Sequence, residues 1–330
     1  MLRLVFCLAL ICLGGPAFAR CDGASVLDRL SDADRMELDA SIAATPYPEG
    51  LFWQATKGGK TLHLIGTMHV YDPRLEPILA QIAPLIPDAD LILLETTKAA
   101  EAQLQADLAS KPDLLFITDG PTLPDLLPEA VWQTLADQAR ARQIPAFMAA
   151  KFQPWYLALM LGVPPCAMEG MVTGQRGLDH MIMDRAETAD TPTQALEPYD
   201  TLFTLFGSES MDAQIEMLQA TIAMNREADA LFATLLDLYF TQQHVKAWQF
   251  SRLAARDMPG AQLDEIDIMF AEMEEVLLTR RNLKWMPVIA EAVNAHDTLL
   301  IGMGAAHLGG ETGVLNLLAQ EGYTLTQLPL

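Results

Sequence analysis

Two kinds of apolar pattern alternate along the chain, and together they predict its elements. "GLFWQAT" and "KTLHLIGT" are short strand-like runs separated by Lys57, Gly58, Gly59 and Lys60, which predicts a β-hairpin. In "RLEPILAQIAPLI" the apolar positions Leu75, Ile78, Leu79, Ile82, Leu85 and Ile86 recur at i, i+3, i+4 and i+7, the spacing of one helix face. "DADLILLE" then has the short, wholly apolar run of a buried strand that closes on Glu95. The stretch from His69 to Glu95 is therefore expected to follow a β-α-β course, with parallel strands. Both residues then lie near carboxyl-terminal strand ends, where open α/β sheets keep their sites.

Between Ala100 and about Gln194 the pattern is helical and broken by Pro and Gly, with helices expected in "PEAVWQTLADQARAR", "KFQPWYLALML" and "RGLDHMIMDRAETAD". "TPTQALEP" predicts one more strand, ending at Glu197. From Tyr199 to Arg281 the pattern is long, helical and Met-rich, so about 199–280 reads as a helical subdomain inserted into or capping an α/β core. "NLKWMPVIAEAVNAH", "DTLLIGM", "ETGVLNLLAQEG" and "YTLTQL" then restore a helix, strand, helix, strand order. The expected fold is α/β, with a central mixed or mostly parallel sheet built from both ends of the chain and flanked by helices. Residues 20–330 are expected to form a single domain.

Composition adds a compartment. Arg3, the apolar run "LVFCLALICLGG" and the small residues Ala17 to Ala19 have the form of a secretory signal peptide, with cleavage expected after about Ala19. This places the protein outside the cytoplasm, periplasmic or secreted, without a stable membrane span after cleavage. Cys21 and Cys166 are the cysteines left, and in an oxidising compartment they are either a disulfide or two buried thiols. The formal net charge is −22, and the expected leader carries away only one cation. Such a chain repels nucleic acid and anionic membrane surfaces, so neither is expected as a partner.

Candidate chemistry comes from a phrase written twice. "LIGTMHV" and "LLIGMGAAHLGG" each run from an apolar strand through glycine into Gly-x-x-His, so His69 and His307 should project from strand ends into a crevice above the sheet. Two imidazoles and a carboxylate are a common set of divalent-metal ligands, and Glu95 is the natural carboxylate. His180, beside Asp179, is either a fourth ligand or a helix-surface residue; His63 is expected to face away from its strand's apolar side, and His244 and His296 have no evident partner. His-Glu-x-x-His, Gly-x-Ser-x-Gly and a phosphate-loop lysine are all absent from the sequence.

The blocks "LIGTMHV", "LILLETT", "GLDHMIMDRA" with "ALEPYDTLF", "RRNLKWMPVI" and "IGMGAAHLGGETGVLNLLAQEGYTLTQL" resemble the TraB/PrgY/GumN family, whose animal relatives are the Tiki metalloproteases. The resemblance runs from about Phe52 to Leu328. It implies that His69, His307 and Glu95 are active-site residues, and that Arg281 matches the basic position of the family's Arg-Asn block, although Arg280 stands beside it. It also implies a metal-dependent hydrolase of peptides, with manganese or cobalt favoured, and the expected ion is manganese, cobalt or zinc.

On this reading His69 and His307 hold the metal. Glu95 is either the third ligand or the general base; if it is a ligand, Glu197 or Glu311 supplies the base. Arg281 stabilises the developing oxyanion or grips a substrate carboxylate. The alternative is a non-catalytic exported protein that sequesters a small peptide or metal in the same crevice.

Overall fold

The computed structural model describes residues 21, 23, 25–256 and 262–330, and of residues 169 and 226 the backbone alone; the expected signal peptide lies outside the described residues. Six strands form one mixed sheet: β1 (Phe52–Lys57), β2 (Lys60–Thr67), β3 (Leu91–Leu94), β4 (Thr193–Ala195), β5 (Thr298–Gly304) and β6 (Thr324–Gln327). Their spatial order is β4-β3-β5-β2-β1-β6. Four neighbours, β4, β3, β5 and β2, run parallel, while β1 and β6 close one side antiparallel. The sheet is thus built from both ends of the chain, as the patterns predict.

Local causes of these elements are plain. The β1–β2 turn passes through Gly58 and Gly59 at φ 57° and 85°, a left-handed pair that suits a two-residue hairpin. β3 and β5 lie inside the sheet and are buried along their length, which explains runs such as "LILL" with no polar alternation. Helices Leu75–Ile82 and Leu85–Asp88 divide the predicted "RLEPILAQIAPLI" helix at Ala83 and Pro84. Helices Glu129–Ala141, Pro154–Gly162, Leu178–Thr188, Arg280–Ala295 and Val314–Gln320 fall where their patterns place them.

β2 and β3 are parallel, as the β-α-β course predicts, and β5 lies between them and pairs with both. One expectation needs correction. β4 stops at Ala195 rather than at Glu197: Leu196 N–H still donates to the Leu94 carbonyl at 2.7 Å, and Pro198 has no N–H with which to continue.

The main core gathers the sheet with Leu75, Leu79, Ile82, Leu178, Ile182, Trp285 and Ile289. A separate cluster, including Leu123, Leu135, Phe152, Leu157, Leu161 and Leu218, joins residues 117–161 to helix Met211–Met224. Between 199 and 280 all regular structure among the described residues is helical. No single described helix is long and apolar enough to cross a membrane.

Cys21 and Cys166 are paired as a disulfide, with Cα atoms 5.1 Å apart. Of the two cysteine states left open by the sequence, this is the one found.

Candidate active site

Register puts the candidate residues at one edge. Thr67 of β2 is level with Gly304 of β5, and Leu94 of β3 is level with Gly302, so three adjacent parallel strands deliver their carboxyl ends together. His69 follows β2, Glu95 follows β3, and His307 closes the short 3-10 turn Ala305–His307 after β5. Their common neighbour is Gly304. A Cβ on that glycine would lie 3.2 Å from Glu95 Oε1, 3.6 Å from His307 Cδ2 and 3.7 Å from His69 Nε2.

Glu95 is held from two sides. Oε1 accepts the Gly304 N–H at 2.6 Å and Oε2 accepts from Arg281 Nη2 at 2.6 Å. Burial opposes ionisation, but His307, His69, Arg281 and the Gly304 amide together pull its pKa down to about 2. Since His307 is itself neutral, His69, Arg281 and the Gly304 amide are the lasting pulls at neutral pH.

Arg281 organises the interior of the site. Its guanidinium grips Glu197 bidentately, Nε to Oε2 at 2.9 Å and Nη2 to Oε1 at 2.7 Å, while Nη1 donates to the Leu277 carbonyl at 3.2 Å. Leu277 belongs to a π-helical turn, Glu275–Thr279, which links the helices Leu263–Glu274 and Arg280–Ala295. Such turns often mark functional positions. Trp285, one turn beyond Arg281, donates its indole N–H to Glu197 at 3.0 Å and packs its ring 4.3 Å from the His307 ring. The arginine at the site is therefore Arg281. Arg280 is exposed and pairs with Glu275.

His307 is buried and its tautomer follows from its neighbours. Asn282 donates through Nδ2 to the Thr312 carbonyl at 2.9 Å and lies 3.4 Å from the His307 carbonyl, so its Oδ1 must be the acceptor facing His307 Nδ1 at 2.6 Å. Nδ1 then carries the hydrogen. Nε2 keeps its lone pair and accepts from Arg281 Nη1 at 3.2 Å. Burial pushes the His307 pKa down to about 3, so the ring is neutral.

His69 differs. Its side chain is 63% exposed, and Nδ1 stands 3.3 Å from Asp179 Oδ2. Desolvation pulls its pKa down, but the contact and charge of Asp179, with Glu95 behind, win and raise it to about 9.

The donor chemistry suits a divalent metal: a neutral imidazole with a bare Nε2 backed by a buried amide, an ionised carboxylate, and a second imidazole whose Nε2 lies near the same glycine. Their disposition is not that of a closed cage, since Arg281 already engages His307 Nε2 and Glu95 Oε2. Among the described residues no group of three or more His, Cys, Asp or Glu side chains is placed to hold a metal.

Other candidates fall away from this point. His180 Nε2 lies 2.6 Å from Glu101 Oε1, so it belongs to an adjoining network. Glu311 is exposed. His63 is half-buried beside Gln54, with a 3.3 Å contact across the hairpin. His244 is buried and lies 3.1 Å from the Tyr47 carbonyl, the partner its sequence does not disclose. His296 ends the Arg280–Ala295 helix, where its carbonyl accepts from Lys60.

Asn282 and Trp285 are site residues that the sequence patterns do not single out, whereas Gly304 is the glycine of the second Gly-x-x-His phrase. One usable signal exists, because Arg281 and Trp285 are four apart and so share a helix face.

Fold and site together define an α/β protein that gathers two imidazoles, a carboxylate and a buried arginine at the carboxyl edge of its parallel strands. The chain belongs to the TraB/PrgY/gumN family, whose sequence profile matches residues 51–327. Comparison with curated proteins gave no match.

Proposed function

We propose that the protein is an exported metal-dependent hydrolase of peptide or similar amide bonds, with a divalent ion (manganese, cobalt or zinc) held by His69, Glu95 and His307. The observation that carries this reading is the convergence of all three residues on Gly304. Electrostatics support it, since the half-buried Glu95 and Glu197 both pair with one permanent cation, the buried Arg281. That arrangement favours a further positive charge.

When bound, the ion supplies Lewis acidity toward water and the scissile carbonyl. The chain's own groups then have separable tasks. His307 presents Nε2 in a fixed tautomer. Glu95, with its pKa near 2, is a poor proton acceptor, which favours the role of ligand over that of base. Glu197 and Trp285 hold Arg281 in place, and a guanidinium N–H released from His307 would be free to meet a developing oxyanion. His69 must shed a proton to bind metal, so metal retention should weaken as pH falls. The leader-like residues 1–19 and the Cys21–Cys166 pair support export.

The test is metal analysis of the purified mature protein, together with a mixed peptide library assayed in manganese, cobalt or zinc, for wild type, His69→Ala and His307→Ala. Joint loss of bound metal and cleavage in both variants is expected. A wild type that binds peptide but never cleaves it in any of the three metals would replace the enzyme with a peptide-sequestering protein. The already engaged Arg281 is the feature that would favour this second reading.

A further inference from the structure

The two imidazoles at the sheet edge are held by different chemistry. His307 is buried, and its Nδ1 faces a neutral amide, Asn282 Oδ1, at 2.6 Å. His69 is 63% exposed, and its Nδ1 faces a carboxylate, Asp179 Oδ2, at 3.3 Å. Among the described residues no other side chain makes a hydrogen bond or ion pair with the His69 ring. An exposed ring with one polar partner takes its direction from that partner.

Asp179 is itself held firmly. It lies in the first turn of helix Leu178–Thr188 and is 9% exposed. The amides just before it dock the helix onto the chain at His69: Gly177 N–H donates to the His69 carbonyl at 3.1 Å, and Leu178 N–H to the Met68 carbonyl at 2.9 Å. The approach is so close that a Cβ on Gly177 would fall 1.9 Å from the Met68 oxygen. Backbone and side chain of His69 are thus gripped by one helix start. On the far side, Asp179 Oδ2 is 3.1 Å from His180 Nδ1, and His180 Nε2 is 2.6 Å from Glu101. That row of groups limits how Asp179 can turn.

We infer that Asp179 is the positioning residue of His69: it fixes the hydrogen on Nδ1 and turns Nε2 toward Gly304. The carboxylate accepts the Nδ1–H, which leaves the other ring nitrogen as the one that faces Glu95 and the His307 ring. The inference rests on the reading of His69 as a site residue, and it makes the site asymmetric. One imidazole is locked by burial and an amide, the other only by a carboxylate on a neighbouring helix.

The test has two readouts, one of which involves no metal. Ring-nitrogen NMR of metal-free protein, with the His69 signals assigned from His69→Ala and recorded where the ring is neutral, should show Nδ1–H in wild type. Asp179→Ala should move the ring toward the Nε2–H form that a free imidazole prefers. Asp179→Leu, of similar size but with no acceptor to offer the ring, should do the same. Equilibrium dialysis with manganese alone should show affinity weakened about 10–100-fold in both variants, the usual cost of losing an outer partner. An unchanged His69 ring spectrum in folded Asp179→Ala or Asp179→Leu overturns the inference. A wild type that binds no manganese instead counts against the metal reading, and the ring spectra still decide the role of Asp179.

Discussion

Glycine is the residue on which three functional side chains meet, and its lack of a side chain is what leaves that space open. Gly304 has an ordinary φ of −50°, so its role concerns room rather than backbone freedom. Gly304→Ala should therefore fold, with stability changed by less than about 1 kcal/mol, because the nearest atom to the new methyl is a carboxylate oxygen 3.2 Å away that can give slightly. It should nevertheless lower manganese retention about tenfold or more, since small misplacements at a reacting centre are costly. Urea unfolding and dialysis on the same preparation check both halves; full retention would mean that the three residues do not act at this point. At this scale the sequence is readable where a residue type has few alternatives. Two Gly-x-x-His phrases and a carboxylate closing a buried run announce His69, His307 and Glu95. Asn282 and Trp285 are not announced, because an amide and an indole inside an amphipathic helix look like packing until their partners, His307 and Glu197, are known.

Among the elements, the helix start at Gly177 has the least tolerance. A methyl there would strike backbone atoms, Met68 O at 1.9 Å and His69 C at 2.4 Å, which cannot rotate away as a side chain can. Gly177→Ala should destabilise the protein by about 1–3 kcal/mol, as overpacking does. Gly162, at the end of its own helix with open space around it, is the control: Gly162→Ala should be neutral or slightly stabilising. Chemical denaturation of the two variants gives the comparison, and equal stabilities would show that the close approach at Gly177 relaxes without cost. Elements were legible in position and type wherever one periodicity ran unbroken, as in Glu129–Ala141 or Val314–Gln320. Their neighbours were not. The local pattern around β2 and β3 gives no hint that a strand some 200 residues later separates them.

For the whole molecule, the buried His244 joins acidity to stability. It sits 4% exposed, and burial pushes its pKa down to about 4 against the pull of its contact with the Tyr47 carbonyl. An unfolded histidine titrates near 6.5. Above that pH neither state is protonated and His244 has no effect. As pH falls from about 6.5 to 4 the unfolded chain binds a proton that the folded one refuses, so stability is lost by up to about 3 kcal/mol. Urea titrations at pH 7 and 4.5 should show wild type losing about 2–3 kcal/mol more than His244→Gln, whose amide can still donate to the Tyr47 carbonyl. Parallel losses in the two proteins would rule His244 out as the source.

The placement of β5 also has a consequence in time. A ribosome delivers β2 and β3 early, yet the strand that joins them, Thr298–Gly304, is among the last sections made. Until then each of the two early strands has an open edge, and Glu95 lacks both the Gly304 amide and Arg281. The growing chain therefore cannot complete its sheet or assemble its chemistry piecemeal. Both come into being in one late step, when β5 slides between β2 and β3.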